Sequence, residues 1–289
     1  VIIEWLPSSD AKTGEALRDR LENRQGHSIP VELVSCRNRS ALLAAIERVG
    51  TETPSKGIPV LHIEAHGAIE GEANSIGFIG PDGDGGEEVL RWADLTVPFR
   101  NLNLRAEFNL LVVAAACVSE GALLTIEPDE PLPYIAAVTF GTKVLPGQLL
   151  NSMSELYRGI FVDNLPLERC VDAAQAELTD GRRVGFTSVP QLVEEAIAQA
   201  TVARDSVDDV RSLHVRAMVS ESLRAGEPRF LSEIEVIRHR ERVAARAIDV
   251  SVGRLLAYDR FPENRARFGI DGNSLHRRIR RANPRPSHL

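Results

Sequence analysis

Residues 109–116, Asn-Leu-Leu-Val-Val-Ala-Ala-Ala, are apolar almost throughout and show no polar–apolar alternation. A strand with one wet face alternates, whereas a strand covered on both faces does not. The run is too short for a membrane span, which needs roughly 18 apolar residues in a row. It therefore predicts a central strand of a parallel sheet with helices above and below. The flanking segments agree. Val1–Leu6, Val31–Ser35, Pro59–Glu64 and Tyr134–Phe140 read as further strands. Between and after them, apolar residues fall at helical spacing: Leu17 and Leu21; Leu42, Leu43, Ile46 and Val49; Leu149, Met153, Leu156 and Ile160; Leu167, Val171, Ala174 and Leu178. Ser8, Ser9 and Asp10 offer cap chemistry for the first helix, and Asn38 or Ser40 for the second. The repeated strand–helix order predicts an α/β fold with a mostly parallel central sheet flanked by helices.

Two departures from that rhythm shape the domain reading. Gly80 to Glu88 is a glycine- and aspartate-rich turn between Ser75–Ile79 and Val89–Trp92, which predicts a hairpin. Its Asp82-Gly83-Asp84 start resembles a calcium loop, but position twelve is Ala93 rather than Glu, so no cation site is expected. Gly181 to Pro190 reads as a boundary, giving an α/β domain over 1–183 and a mostly helical region over 184–289. Long amphipathic helices are expected across 191–257, and the basic run His276–Arg281 reads as a solvated helix end or tail. Hydrophobic residues make up 43% of the 289 and charged residues 26%, which excludes a disordered chain, a collagen or a coiled-coil rod. The net charge of -7 makes the chain a poor general binder of nucleic acid, so no nucleic-acid partner is expected, and no membrane partner either. Cys36, Cys117 and Cys170 are too few and too scattered for a disulfide framework or zinc ribbon. With no secretory leader pattern, a reducing, cytoplasmic setting is expected.

Chemistry concentrates at two strand ends. His66-Gly67 follows the third strand and Cys117 follows the long apolar one. In an open parallel sheet, ligands bind beyond the carboxyl ends of the strands. Neighbouring strands would bring both side chains to one rim. A thiol is only slightly ionised at neutral pH, and a nearby imidazole can take its proton and later return one to a leaving amine. Gly67 and Cys117 could each offer a backbone N–H to an oxyanion. A strand-end cysteine is also a common core residue, and His-Gly a common turn. Around the pair, Glu64 is placed to orient an imidazole or line a cleft. Glu120, Asp129 and Glu130 read either as a solvated acidic loop or as an acidic subsite that would favour a basic residue before the scissile bond. No metal or cofactor is expected, since no cysteine or further histidine stands near His62, Glu64 and His66 and no phosphate-binding glycine loop occurs.

Leu61-His62-Ile63-Glu64-Ala65-His66-Gly67 and Leu110–Gly121, with Ala116-Cys117 inside it, resemble the two signatures of caspase-like cysteine peptidases of the CHAT type. The hairpin, Trp92-Ala93-Asp94-Leu95 and the helices after Cys117 continue the resemblance to about residue 180. The resemblance implies a caspase-like fold and a cysteine endopeptidase that cuts a protein partner at a limited site, in bacterial regulated proteolysis or defence signalling. It implies Cys117 as nucleophile, His66 as proton shuttle and Gly67 as oxyanion donor. The helical region would then hold a regulatory protein partner or gate the cleft. The alternative is a caspase-like scaffold or sensor that binds protein without useful turnover.

Overall fold

The computed structural model describes the chain except for residues 24–28, 53–59, 71–73, 121–125, 128, 199–245 and 283–289. The first unit comprises Val1–Ile126 and Leu132–Ser188. Its elements run β1 (Ile2–Trp5), α1 (Thr13–Glu22), β2 (Leu33–Ser35), α2 (Arg39–Glu52), β3 (Val60–Glu70), β4 (Asn74–Pro81), β5 (Glu87–Arg91), α3 (Trp92–Arg105), β6 (Leu111–Ala115), β7 (Ala136–Phe140), α4 (Pro146–Phe161), α5 (Leu167–Ala176) and β8 (Val184–Ser188). The strand order is β2-β1-β3-β6-β7-β8, parallel except for the antiparallel β7–β8 pair. This is an α/β fold with a mostly parallel sheet flanked by helices.

β6 sits inside the sheet, and all five of its residues are buried. Leu111, Val113 and Ala115 point to one face, as the two-residue period of a strand requires. There they join Ala136, Val138 and Phe140 of β7, with Leu17 and Leu21 of α1, Met153 and Leu156 of α4, and Val171 and Ala174 of α5. α2 and α3 pack on each other elsewhere in the unit. The second helix is capped as expected, since the Ala41 N–H donates to Asn38 Oδ1 at 2.8 Å. The first is not. α1 starts at Thr13 after Lys12 and has no side-chain cap bond, because the Asp10 carboxylate is engaged elsewhere.

The domain boundary lies between Ser188 and Val189, not between Arg183 and Val184. Residues 184–188 form β8, whose ladder to β7 makes them part of the sheet. A five-residue strand with glycine at its second position carries too weak a period to announce itself. The second unit comprises Glu127–Pro131 and Val189–Leu289. Among its described residues, helix covers 189–198 (α6) and 246–255 (α7), then α8 (Asn264–Phe268) and α9 (Gly272–Ala282). Most of the stretch read as long helices, 199–245, lies outside the described residues. α9 carries the basic run. It buries Leu275 and Ile279 and exposes Arg277 and Arg278, so these arginines form its solvated face. No helix among the described residues is long and apolar enough to cross a membrane.

Candidate active site

β3 is the element that builds the site, because it changes partners midway. From Val60 to Ala65 it pairs in parallel with β1, β6 or both. From His66 onward it pairs antiparallel with β4 instead. The strand therefore does not end before His66, as its apolar pattern suggests; only the parallel ladder ends there. The hairpin supplies the backbone hydrogen bonds that β1 and β6 no longer can. His66 is thus the first residue above the parallel sheet, at the place where strand order reverses between β1 and β3. Such reversals open a crevice at the carboxyl edge.

Gly67 explains how tightly the rim closes. A Cβ built on it would lie 1.8 Å from the carbonyl oxygen of Cys117 and 2.8 Å from its carbonyl carbon. Only a residue without a side chain permits that approach. His66 is one peptide unit away, about 3.8 Å between Cα atoms. The His66-Gly67 segment and Cys117 are therefore brought together at one rim. The His66 ring is about half exposed, and its Nε2–H donates to Asp10 Oδ2 at 2.6 Å. Asp10 stands just beyond β1 in a turn closed by its own N–H to Pro7 O at 3.1 Å. Lys12 Nζ secures that loop by donating to the carbonyls of Leu6 and Pro7. The Nε2 bond leaves the other ring nitrogen, Nδ1, for chemistry.

The turn holding Cys117 is strained and pinned. Val118 has φ of 53°, in the left-handed region that β-branched residues avoid. Backbone states of this kind cost about 1–3 kcal/mol and persist where neighbours enforce them. Ser119 is the enforcer. It is fully buried, its Oγ donates to Ala114 O at 2.8 Å, and it accepts the Phe140 N–H at 2.8 Å. The hydroxyl ties the end of β6 to the end of β7. Ser119→Ala strands a buried N–H and loosens the turn, so it should cost about 2 kcal/mol in urea unfolding and slow alkylation of Cys117. Unchanged values for both would show that the turn holds itself.

Glu64 does not line the cleft. It is buried, and its two oxygens accept from Thr13 Oγ1 and, at 3.0 Å, from His62 Nε2. The imidazole it orients is that of His62, not His66. Tyr157 completes the chain, its hydroxyl 2.6 Å from His62 Nδ1. Burial, helped by the Glu64 charge, holds the Tyr157 phenol well above its ordinary value, so it remains a donor. Tyr157 O–H to Nδ1, Nε2–H to one Glu64 oxygen and Thr13 O–H to the other is a closed account of every proton.

Glu4 lies beside this chain, almost wholly buried, with Lys12 Nζ 3.9 Å from Oε2. Burial raises its carboxyl above the ordinary value; Lys12 opposes the rise and Glu64 adds to it. The folded protein thus holds the Glu4 proton more tightly than the unfolded chain. The resulting stability is complete below the unfolded carboxylate range and is lost as pH rises through the raised folded value. Glu4→Gln keeps the shape and drops the charge. It should raise Tm above that window and change it little below, and an equal effect at every pH would contradict this.

The other acidic residues separate. Glu120 is exposed, and its carboxylate lies over Gly141 and Gly185. Asp129 and Glu130 belong to the second unit, where Asp129 is ion-paired to Arg254 at 3.0 Å. An aspartate already neutralised by arginine is a poor anchor for a substrate cation. Among the described residues, no group of three or more metal-binding side chains occurs. Asp10 and Ser119 escaped the sequence reading. Asp10 could have been found by the same rim argument, since it follows the strand next to β3.

No family model matches the chain, and no curated protein does. Among solved structures, the chain is similar to protein GSU0716 from Geobacter sulfurreducens, with 10% identity, a TM-score of 0.39, and coverage of 65% of this chain and 92% of that one.

Proposed function

We propose that the chain is a caspase-like cysteine endopeptidase of the CHAT type, cutting a protein partner at a limited site in bacterial regulated proteolysis or defence. The observation that supports this is the close approach of Gly67 to the Cys117 backbone, which brings the strand segment carrying the Asp10-bonded His66 next to the turn carrying the half-buried Cys117. The Cys117 sulfur attacks the scissile carbonyl carbon, and the oxygen takes up the negative charge facing the N–H groups of Gly67 and Cys117. His66 takes the thiol proton and delivers it to the departing amine. Water then hydrolyses the thioester, releasing the new carboxyl end and restoring the thiol. Asp10 holds the ring and balances its charge while it carries the extra proton. The free thiols at all three cysteines fit a reducing, cytoplasmic setting. The helical region is read as the part that holds the partner.

The test is covalent labelling with peptide acyloxymethyl ketones. Burial pushes the Cys36 thiol up to about 11 and also raises that of Cys170, and both sulfurs are buried. Labelling of the folded protein should therefore fall on Cys117 alone, faster than with a simple haloacetamide of equal reactivity, and vanish in Cys117→Ala. A scaffold or sensor would show no such acceleration, and that result would defeat the peptidase reading.

A further inference from the structure

The Asp10 turn hangs from one carbonyl. Pro7 O accepts the Asp10 N–H at 3.1 Å and, also at 3.1 Å, the ammonium of Lys12. The same ammonium donates to Leu6 O at 3.3 Å and lies 3.9 Å from Glu4 Oε2. A lysine has three donors, so Lys12 uses two on the loop and turns its charge to a carboxylate on β1. The loop is short. It runs from the end of β1 at Trp5 to the start of α1 at Thr13 and delivers Asp10 to His66. Its far end is fixed as well. Thr13 Oγ1 donates to Glu64, and a Cβ on Gly14 would lie 3.5 Å from Glu4 Oε1 and 3.5 Å from Glu64 Oε2. The start of α1 therefore rests on two buried carboxylates, one from β1 and one from β3.

Neither Lys12 nor Glu4 is what local preference would choose. Lys12 stands at the N-cap of α1, where a side-chain acceptor is favoured. Lysine has no acceptor, and it brings positive charge to the positive end of the helix dipole. Glu4 is 3% exposed. Burial disfavours its charge, Lys12 and the Gly14 N–H favour it, and Glu64 and Glu15 repel it. Breaks of local preference are expected at functional sites, and one role accounts for both of these. Resting on the peptidase reading, we propose that Lys12, held by Glu4, is a positioning residue for His66: its ammonium fixes the Pro7 carbonyl from which the Asp10 turn hangs, and thereby the carboxylate that holds the ring. Lys12 acts through Asp10 and needs no contact with substrate. A misplacement of about 1 Å around a catalytic group can cost about 10²-fold in rate, so a loosened Asp10 turn is enough to slow the reaction.

Two variants of the full chain test this with opposite effects on the fold. Lys12→Met keeps most of the side chain and drops the ammonium. Glu4→Gln keeps the shape, drops the charge and should stabilise the fold above the Glu4 window. Measured at such a pH, Cys117 labelling by a peptide acyloxymethyl ketone should slow roughly tenfold in Lys12→Met and a few-fold in Glu4→Gln. A variant that is more stable and yet less reactive separates positioning from loss of fold. In an Asp10→Ala background, Lys12→Met should slow labelling no further, because the group it acts through is gone. A second readout leaves the thiol aside. Diethyl pyrocarbonate acylates unprotonated imidazole, and its rate at His66, followed by peptide mass mapping, should rise in Asp10→Ala and in Lys12→Met as Nε2 is released. Parent rates at Cys117 or at His66 in Lys12→Met, or an undiminished slowing by Lys12→Met in Asp10→Ala, overturn the positioning role. Failure of every peptide probe to label Cys117 in the parent overturns the peptidase reading instead, and the His66 rate then still reports whether Lys12 governs Asp10.

Discussion

His66→Ala should lower kcat/KM for peptide hydrolysis roughly 10²- to 10⁴-fold, the range that a positioned general acid–base contributes. The effect should fall mainly on kcat, because the ring acts on protons rather than on substrate binding. Asp10→Ala should cause a smaller loss of the same character, and Asp10→Asn should recover part of it by keeping an acceptor for Nε2–H. Stability separates this from a structural role. The Asp10–His66 pair is partly exposed, with side-chain exposures of 31% and 47%. Such pairs are worth only about 0–1 kcal/mol to folding. Urea unfolding of the Asp10 variants should therefore match the parent while turnover falls. Full activity in Asp10→Ala would reduce the contact to an ordinary surface ion pair.

Glu64→Ala should be the most damaging change to the fold. It removes a buried carboxylate that takes hydrogen bonds from Thr13 and His62, leaving the hydroxyl and the imidazole unpaired in the core. Breaking a buried, hydrogen-bonded charge of this kind costs about 3–5 kcal/mol. Against a total of about 5–15 kcal/mol for a domain, that is a large fraction. Tyr157→Phe loses only the hydroxyl that serves His62 Nδ1 and should cost about 1–3 kcal/mol. Equilibrium urea unfolding measures both. If Glu64→Ala were as stable as the parent, the network would be incidental, with water taking the place of the carboxylate.

Glu64 also shows where reading a chain in one dimension stops. The two-residue period of a strand correctly puts His62, Glu64 and His66 on one face. It does not say how deep each lies. Tyr157 of α4 lies on His62 and Thr13 of α1 on Glu64, so both are sealed into the core, while His66 rises above the parallel ladder into solvent. The carboxylate two residues from each imidazole then serves His62 and not His66. The one that serves His66 comes from 56 residues away. Glu120 and Asp129 look alike as acidic residues after a cysteine, yet the carboxylate of one lies over Gly141 and Gly185 and the other is paired with Arg254.

Local pattern alone carried every strand but β8, most helices and the arrival of His66, Gly67 and Cys117 at the carboxyl edge of the parallel ladder, because apolar period and turn chemistry act over a few neighbouring residues. Strand order, the change of partner in β3, the capture of Asp10 by the imidazole and the pinning of Val118 by Ser119 arise from contacts across the sheet. They depend on which surfaces meet once helices have covered the strands, and nothing within a single segment encodes that.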